Sequence, residues 1–77
     1  MHITIKYFGQ IAEITQAKEE SVEFSGHLIS ELLQVLNTKY ENLKTIDFKV
    51  AQNQELVSIE KELTGGEIAL LPPFSGG

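Results

Sequence analysis

Hydrophobic and polar positions alternate from the start of the chain. In HITIKYF, Ile3, Ile5 and Tyr7 fall on one face of an extended segment and Thr4 and Lys6 on the other, which predicts an amphipathic strand. By the same period of two, Phe8 belongs with Thr4 and Lys6. Either the strand twists off there or an aromatic ring points away from the core. After Gly9, the polar stretch QIAEITQAKEE sets Ile11 and Ile14 three apart, enough for one helical turn before the chain reverses. SVEF alternates again with Val22 and Phe24 inward, and the short connection makes it the antiparallel partner of the first strand. Ser25 and Gly26 end it. Glu19 and Glu20, adjacent in what reads as a loop, are expected to be a solvated pair of charges rather than a metal site.

The period then lengthens. Between His27 and Glu41, Leu28, Leu32, Val35, Leu36 and Tyr40 recur at spacings of three and four, the stripe of a helix packed on a sheet. Ser30, Glu31, Gln34, Asn37, Lys39 and Glu41 fall mostly away from that stripe and form its solvated face. Ile46, Phe48 and Val50 alternate with Asp47 and Lys49, QNQE predicts a reversal near Asn53, and LVSI reads as another short strand. Thr64-Gly65-Gly66 is a turn with permissive backbone. EIALL makes the last strand, with Ile68 and Leu70 on one face and Leu71 opposite.

Strand, strand, helix, then two or three strands is the order of an α+β domain of the ubiquitin-like β-grasp type. It implies a mixed sheet of four to five strands and one main crossover helix. Residues 1–71 are expected to form that domain and residues 72–77 a flexible, extended C-terminal tail.

Composition narrows the function. Seventy-seven residues leave little room for a deep catalytic cleft, while 42% apolar and 22% charged residues suit an ordinary globular core. With no cysteine there are neither disulfides nor thiolate metal sites. The chain shows no signal-like start and no long apolar run, so the expected location is cytoplasmic. Eleven acidic against six basic residues give a net charge of −5, which repels nucleic acid and anionic membranes and suits a basic protein partner. The two histidines, His2 and His27, have no evident catalytic partner, and His27 is expected to serve the helix start or the surface. Gly65-Gly66 precedes a strand rather than a helix, so it is no phosphate cradle. The chain is not expected to be an enzyme by itself, and no metal or stably bound cofactor is expected.

The ending PPFSGG carries the candidate chemistry. At an average glycine frequency of roughly 7%, a terminal Gly-Gly arises by chance in about half a percent of chains. Gly76 and Gly77 lack side chains and suit a slot too narrow for a Cβ, where they would deliver the terminal carboxylate to a partner. Pro72 and Pro73 supply no N–H donors, so the last strand cannot continue as a ladder and the tail leaves extended. Six extended residues reach up to roughly 20 Å, with Ser75 on the way and Phe74 able to anchor in an apolar recess. A carboxylate is a poor acyl donor until activated. Adenylation by ATP would turn Gly77 into a mixed anhydride open to attack by a thiol, persulfide or amine. A frayed terminus is the plain alternative; the β-grasp order and a tail set directly after the final strand weigh against it.

In IKYFGQIAEI, ELLQVL, AQNQELVS and above all LTGGEIALLPPFSGG, the chain resembles the sulfur-carrier family that forms the small subunit of molybdopterin synthase. This likeness covers nearly the whole chain. It implies that a ubiquitin-activating-type adenylyltransferase adenylates Gly77 and that a sulfur donor converts its carboxylate into a thiocarboxylate. The tail then donates sulfur to cyclic pyranopterin monophosphate in the large subunit's active site, forming molybdopterin. ATP-derived adenylate and sulfur would be carried only transiently on Gly77, and a heterotetramer of small and large subunits is expected. The resemblance also implies an apolar partner-binding surface that includes Phe8 and Leu71, with Leu56 a third member unless it packs in a small cluster of its own. The family often has an aspartate where this chain has Gly66, a departure that leaves the tail untouched.

Two rivals share the tail chemistry. The thiazole-forming sulfur carrier of thiamine biosynthesis usually lacks the proline approach, so Pro72-Pro73 argues against it. A ubiquitin-like protein modifier follows the same path as far as the adenylate and differs only in being attacked by lysines.

Overall fold

The computed structural model describes residues 1–73. Its sheet has five strands: β1 (His2–Tyr7), β2 (Glu19–Glu23), β3 (Lys49–Gln52), β4 (Glu55–Val57) and β5 (Gly66–Leu71), in the order β2-β1-β5-β3-β4. The central pair, β1 and β5, is parallel and every other pairing antiparallel. A short helix α1 (Gln10–Thr15) links β1 to β2, and the longer α2 (Ile29–Lys39) crosses from β2 towards β3. A 3-10 segment over Glu41–Thr45, which periodicity did not indicate, continues from α2.

Alternation sorts each strand. Ile3, Ile5 and Tyr7 of β1, Val50 of β3 and Ile68 and Leu70 of β5 join one buried cluster with Ile29, Leu32, Leu33 and Leu36 of α2. Full burial of each large aliphatic side chain is worth about 1.5–3 kcal/mol, and this layer between helix and sheet is the main source of stability. Leu32, Leu36 and Tyr40 of the expected helix stripe pack inward, but its edges differ. Val35 is 50% exposed, Leu28 is only half-buried at the N-cap, and Ile29 and Leu33 occupy the core instead. The start of α2 accounts for this, because Ile29 N and Ser30 N donate to Lys61 O and Ile59 O, fixing the helix's rotation against the loop after β4. Glu31 accepts from the N–H groups of both His27 and Leu28, both at 2.8 Å, which satisfies donors that the helix cannot.

Glu20 lies inside β2 rather than in a loop. It points towards the helix side in phase with Val22, where the hydroxyls of Tyr7 and Tyr40 and the ammonium of Lys39 all donate to its carboxylate. Ile46 and Phe48 precede β3 and are half-buried, so that strand is shorter than its alternating pattern. The reversal at Asn53 is a two-residue hairpin: Gln52 pairs with Glu55, and Asn53 and Gln54 have φ of 50° and 71°.

Candidate functional site

The reverse face of the sheet is built by register. Because Leu70 and Val50 face the helix, Leu71 and its partner Lys49 face away. By the same logic Ala69 pairs with Ala51, and Ala51 with Leu56 of β4. Phe8 does not twist off the sheet: its N–H donates to Leu70 O at 3.2 Å, carrying the β1–β5 ladder one residue past Tyr7. Its ring therefore shares the outer face with Leu71 and is 44% exposed. Leu56, 61% exposed, stands on the other side of the two buried alanines.

The result is an apolar surface crossing four strands from Phe8 to Leu56, about 14 Å at the usual strand spacing. The family resemblance named Phe8 and Leu71 for such a surface and left Leu56 open between it and a small cluster of its own. Ala51 and Ala69 form its floor and were missed, although their place in the alternation of KVAQ and EIALL was the available signal. An exposed apolar area of this kind on a small domain is a mark of an interaction site.

Leu71 ends β5, and the tail begins beside this surface. Pro72 is half-buried, while Pro73 is exposed. Gly9, between β1 and α1, lies directly under Pro72: a Cβ built on Gly9 would come 2.7 Å from Pro72 Cγ. With φ of 59° and ψ of −134°, Gly9 also has a backbone conformation that side chains oppose. The root of the tail is thus seated on a glycine. Phe74, Ser75, Gly76 and Gly77 lie outside the described residues.

Charge frames the surface. Lys6 Nζ reaches Glu67 at 3.3 Å, so its charge is answered within the chain. On the helix side of the same sheet, burial raises the Glu20 carboxyl's pKa, but hydrogen bonds from Tyr7, Lys39 and Tyr40 outweigh it and hold the group below the ordinary glutamate value. Burial and the hydrogen bond to Glu20 push the Tyr7 phenol far above its usual range. The network ties β1, β2 and the end of α2 together; nothing in it is arranged for proton transfer to a substrate.

A shallow groove of about 450 Å³ between α1 and the end of α2 is lined by Ile14, Thr38, Lys39, Tyr40, Glu41 and Asn42, and shares no residue with the outer face. Among the described residues there is no cluster of three or more side chains able to hold a metal, and no helix is long and apolar enough to cross a membrane.

A ubiquitin-like β-grasp domain, with an apolar sheet face beside the root of a tail ending in Gly-Gly, is the class this geometry defines. Within it, the chain belongs to the ThiS family, whose sequence profile matches residues 5–77. It is 29% identical over 82 residues to the human molybdopterin synthase sulfur carrier subunit, covering 97% of this chain and 93% of that protein. Subunit 1 in the complex of subunits 1 and 2 of the molybdopterin-converting factor of Helicobacter pylori is similar in fold, with a TM-score of 0.70, 25% identity and full coverage of both chains. The small archaeal modifier protein 1 of Methanosarcina acetivorans is likewise similar, with a TM-score of 0.81 and 25% identity over 99% of this chain and 96% of that one.

Proposed function

We propose that this protein is the sulfur carrier subunit of a molybdopterin synthase. The observation that carries the reading is the likeness to the human sulfur carrier subunit, which runs through 97% of the chain. The outer face supports it, because it lies beside the root of the tail: one surface can dock a partner while the tail enters that partner's site.

The chemistry follows from Gly77. Its carboxylate attacks the α-phosphorus of ATP on an adenylyltransferase and expels pyrophosphate, leaving an acyl adenylate. A persulfide sulfur from the donor system then attacks the acyl carbon. AMP leaves, and reductive cleavage of the S–S bond by a thiol releases the thiocarboxylate. In the larger subunit, the sulfur passes to cyclic pyranopterin monophosphate and water restores the carboxylate, so two charged tails are used for one dithiolene. The carrier supplies no catalytic side chain. Its part is to fit the slot, through Gly76 and Gly77, and to be held there by Phe74, Leu71, Phe8 and Leu56 while Pro72, Pro73 and Ser75 span the approach. A heterotetramer of two small and two large subunits presents each tail to its own site.

The test is the intact mass of the chain purified from its own cells beside a version lacking Gly77. A shift equal to replacement of one oxygen by sulfur, absent from the truncated chain, is the expected result. Pterin conversion on adding the larger subunit completes it. The likeness to an archaeal modifier protein favours a second reading, in which lysines of other proteins attack the same adenylate. Recovery of the chain as covalent adducts, with no thiocarboxylate, would replace the first reading by the second.

A further inference from the structure

We propose that Lys49 selects and orients the partner of the outer face by meeting a carboxylate on the sulfur-receiving subunit, an inference that rests on the docking role given to that face above. Lys49 pairs with Leu71 in the β3–β5 register, about 5 Å away between Cα atoms, and so stands at the root of the tail. It is exposed, and its row of the sheet continues through Leu71 to Phe8. Alternation puts a polar residue at this position, and the pairing sets its charge directly beside the apolar Leu71.

Its place beside Leu71 on the outer face, together with the pairing of nearby lysines, distinguishes it. Lys6, on the same face, is paired with Glu67, and Lys39, on the far side of the sheet, with Glu20. Among the described residues no carboxylate lies within ion-pairing distance of Lys49, although the chain carries a net charge of −5. An ammonium pressed into an apolar interface without a counter-charge is costly, so a partner that covers Leu71 must answer it.

Geometry gives the pair a purpose. The tail fixes one axis of approach, and a flat apolar face resists rotation about that axis only weakly. A charge pair one strand to the side of the tail's root fixes the rotation, as charged pairs fix register in other interfaces. A partner without the carboxylate is rejected by the cost of burying Lys49 alone.

The probe is the purified larger subunit from the same source, titrated by calorimetry and by surface-immobilised kinetics at low and moderate salt, with Lys49→Met, Lys49→Glu and Leu56→Asp chains. Equal urea midpoints first establish that all three fold. Lys49→Met is expected to weaken binding about tenfold and to flatten the salt dependence, and Lys49→Glu to weaken it on the order of a hundredfold, because one buried charge is left unanswered or opposed. Wild-type affinity in Lys49→Met together with loss of binding in Leu56→Asp would overturn this inference and leave the docking face standing. Wild-type affinity in Leu56→Asp as well would remove the docking reading itself. A dimer of the chain alone, dissolved by Leu56→Asp in sedimentation, would assign the face to a second copy and overturn the proposal.

Discussion

Pro72 and Gly9 are in such close contact that the glycine has no room for a side chain: a Cβ there would lie 2.7 Å from the proline ring. The first residue after the last strand is thereby seated against the turn that follows the first strand. Proline fixes the φ of the tail's first residue, and Gly9 fixes where that residue rests.

Gly9→Ala therefore tests how the tail is aimed. Its φ of 59° and ψ of −134° suit glycine almost alone, so the substitution is expected to cost about 1–3 kcal/mol in urea unfolding. It should also slow sulfur transfer by displacing Pro72. Pro72→Ala keeps the backbone of Gly9 relaxed and removes the clash. In the Gly9→Ala background it is expected to recover part of the transfer rate but little of the stability, separating aim from fold. Equal transfer rates in all four chains would show that the contact does not guide the tail.

Phe8 and Leu56 should behave as docking residues and not as core. At 44% and 61% exposure each has little to lose on truncation, so Phe8→Ala and Leu56→Ala are expected to shift stability by no more than about 0.5–1 kcal/mol. Both should weaken binding of the larger subunit at least tenfold. Leu36→Ala, at a fully buried position of α2, is the contrast and is expected to cost about 2–5 kcal/mol while leaving binding by the folded fraction intact. Comparison of denaturation midpoints with calorimetric affinities separates the two classes.

Period-two alternation made much of the candidate site legible. Phe8 and Leu71 fall on the outer face because their neighbours Tyr7 and Leu70 are core, and the strands keep that phase to their ends. The helix face was read in part: Leu32, Leu36 and Tyr40 pack inward as expected, while Ile29 and Leu33 take the places given to Leu28 and Val35, because LISELLQVL is apolar enough to fit two stripes. Contacts of Ile29 and Ser30 with the loop after β4 make the choice, and no local pattern contains them. Gly9 under Pro72 was invisible for the same reason, since only the parallel pairing of β1 with β5 brings the start of one connection to the end of the chain. Glu20 read as a loop charge because its partners, Tyr7, Lys39 and Tyr40, come from three other segments.

Asn53 offers a test of the hairpin apart from the site. Its N–H donates to Glu67 O, its side-chain oxygen accepts from Glu67 N, and its side-chain nitrogen donates to Thr64 Oγ1 at 3.2 Å, while its φ of 50° is one that asparagine tolerates. Asn53→Ala loses both side-chain bonds and strains the turn, with an expected cost of about 1–2 kcal/mol. Asn53→Gly relieves the strain and keeps only the loss of the bonds, so it should be the milder of the two. Neither should change affinity for the larger subunit once the fraction folded is accounted for.

The acid limb of the stability curve should belong largely to Glu20. Its carboxyl titrates below the ordinary glutamate value of 4.5 in the folded chain, because the bonds from Tyr7, Lys39 and Tyr40 overcome the effect of burial. Between the two values the unfolded chain binds more protons than the folded one, so lowering the pH favours unfolding. The contribution of Glu20 is thus complete above about 4.5 and is lost as the pH falls through the depressed folded value. Glu20→Gln keeps the shape and removes the charge, and is expected to cost about 1–2 kcal/mol at pH 7. The gap between the two chains, followed by urea unfolding from pH 7 downward, should hold steady to about 4.5 and then close, because protonation makes the wild-type side chain as neutral as the variant's. A gap that stays constant to pH 3 would mean that the three donors stabilise the neutral side chain as well as the carboxylate, and would move the acid sensitivity to another group.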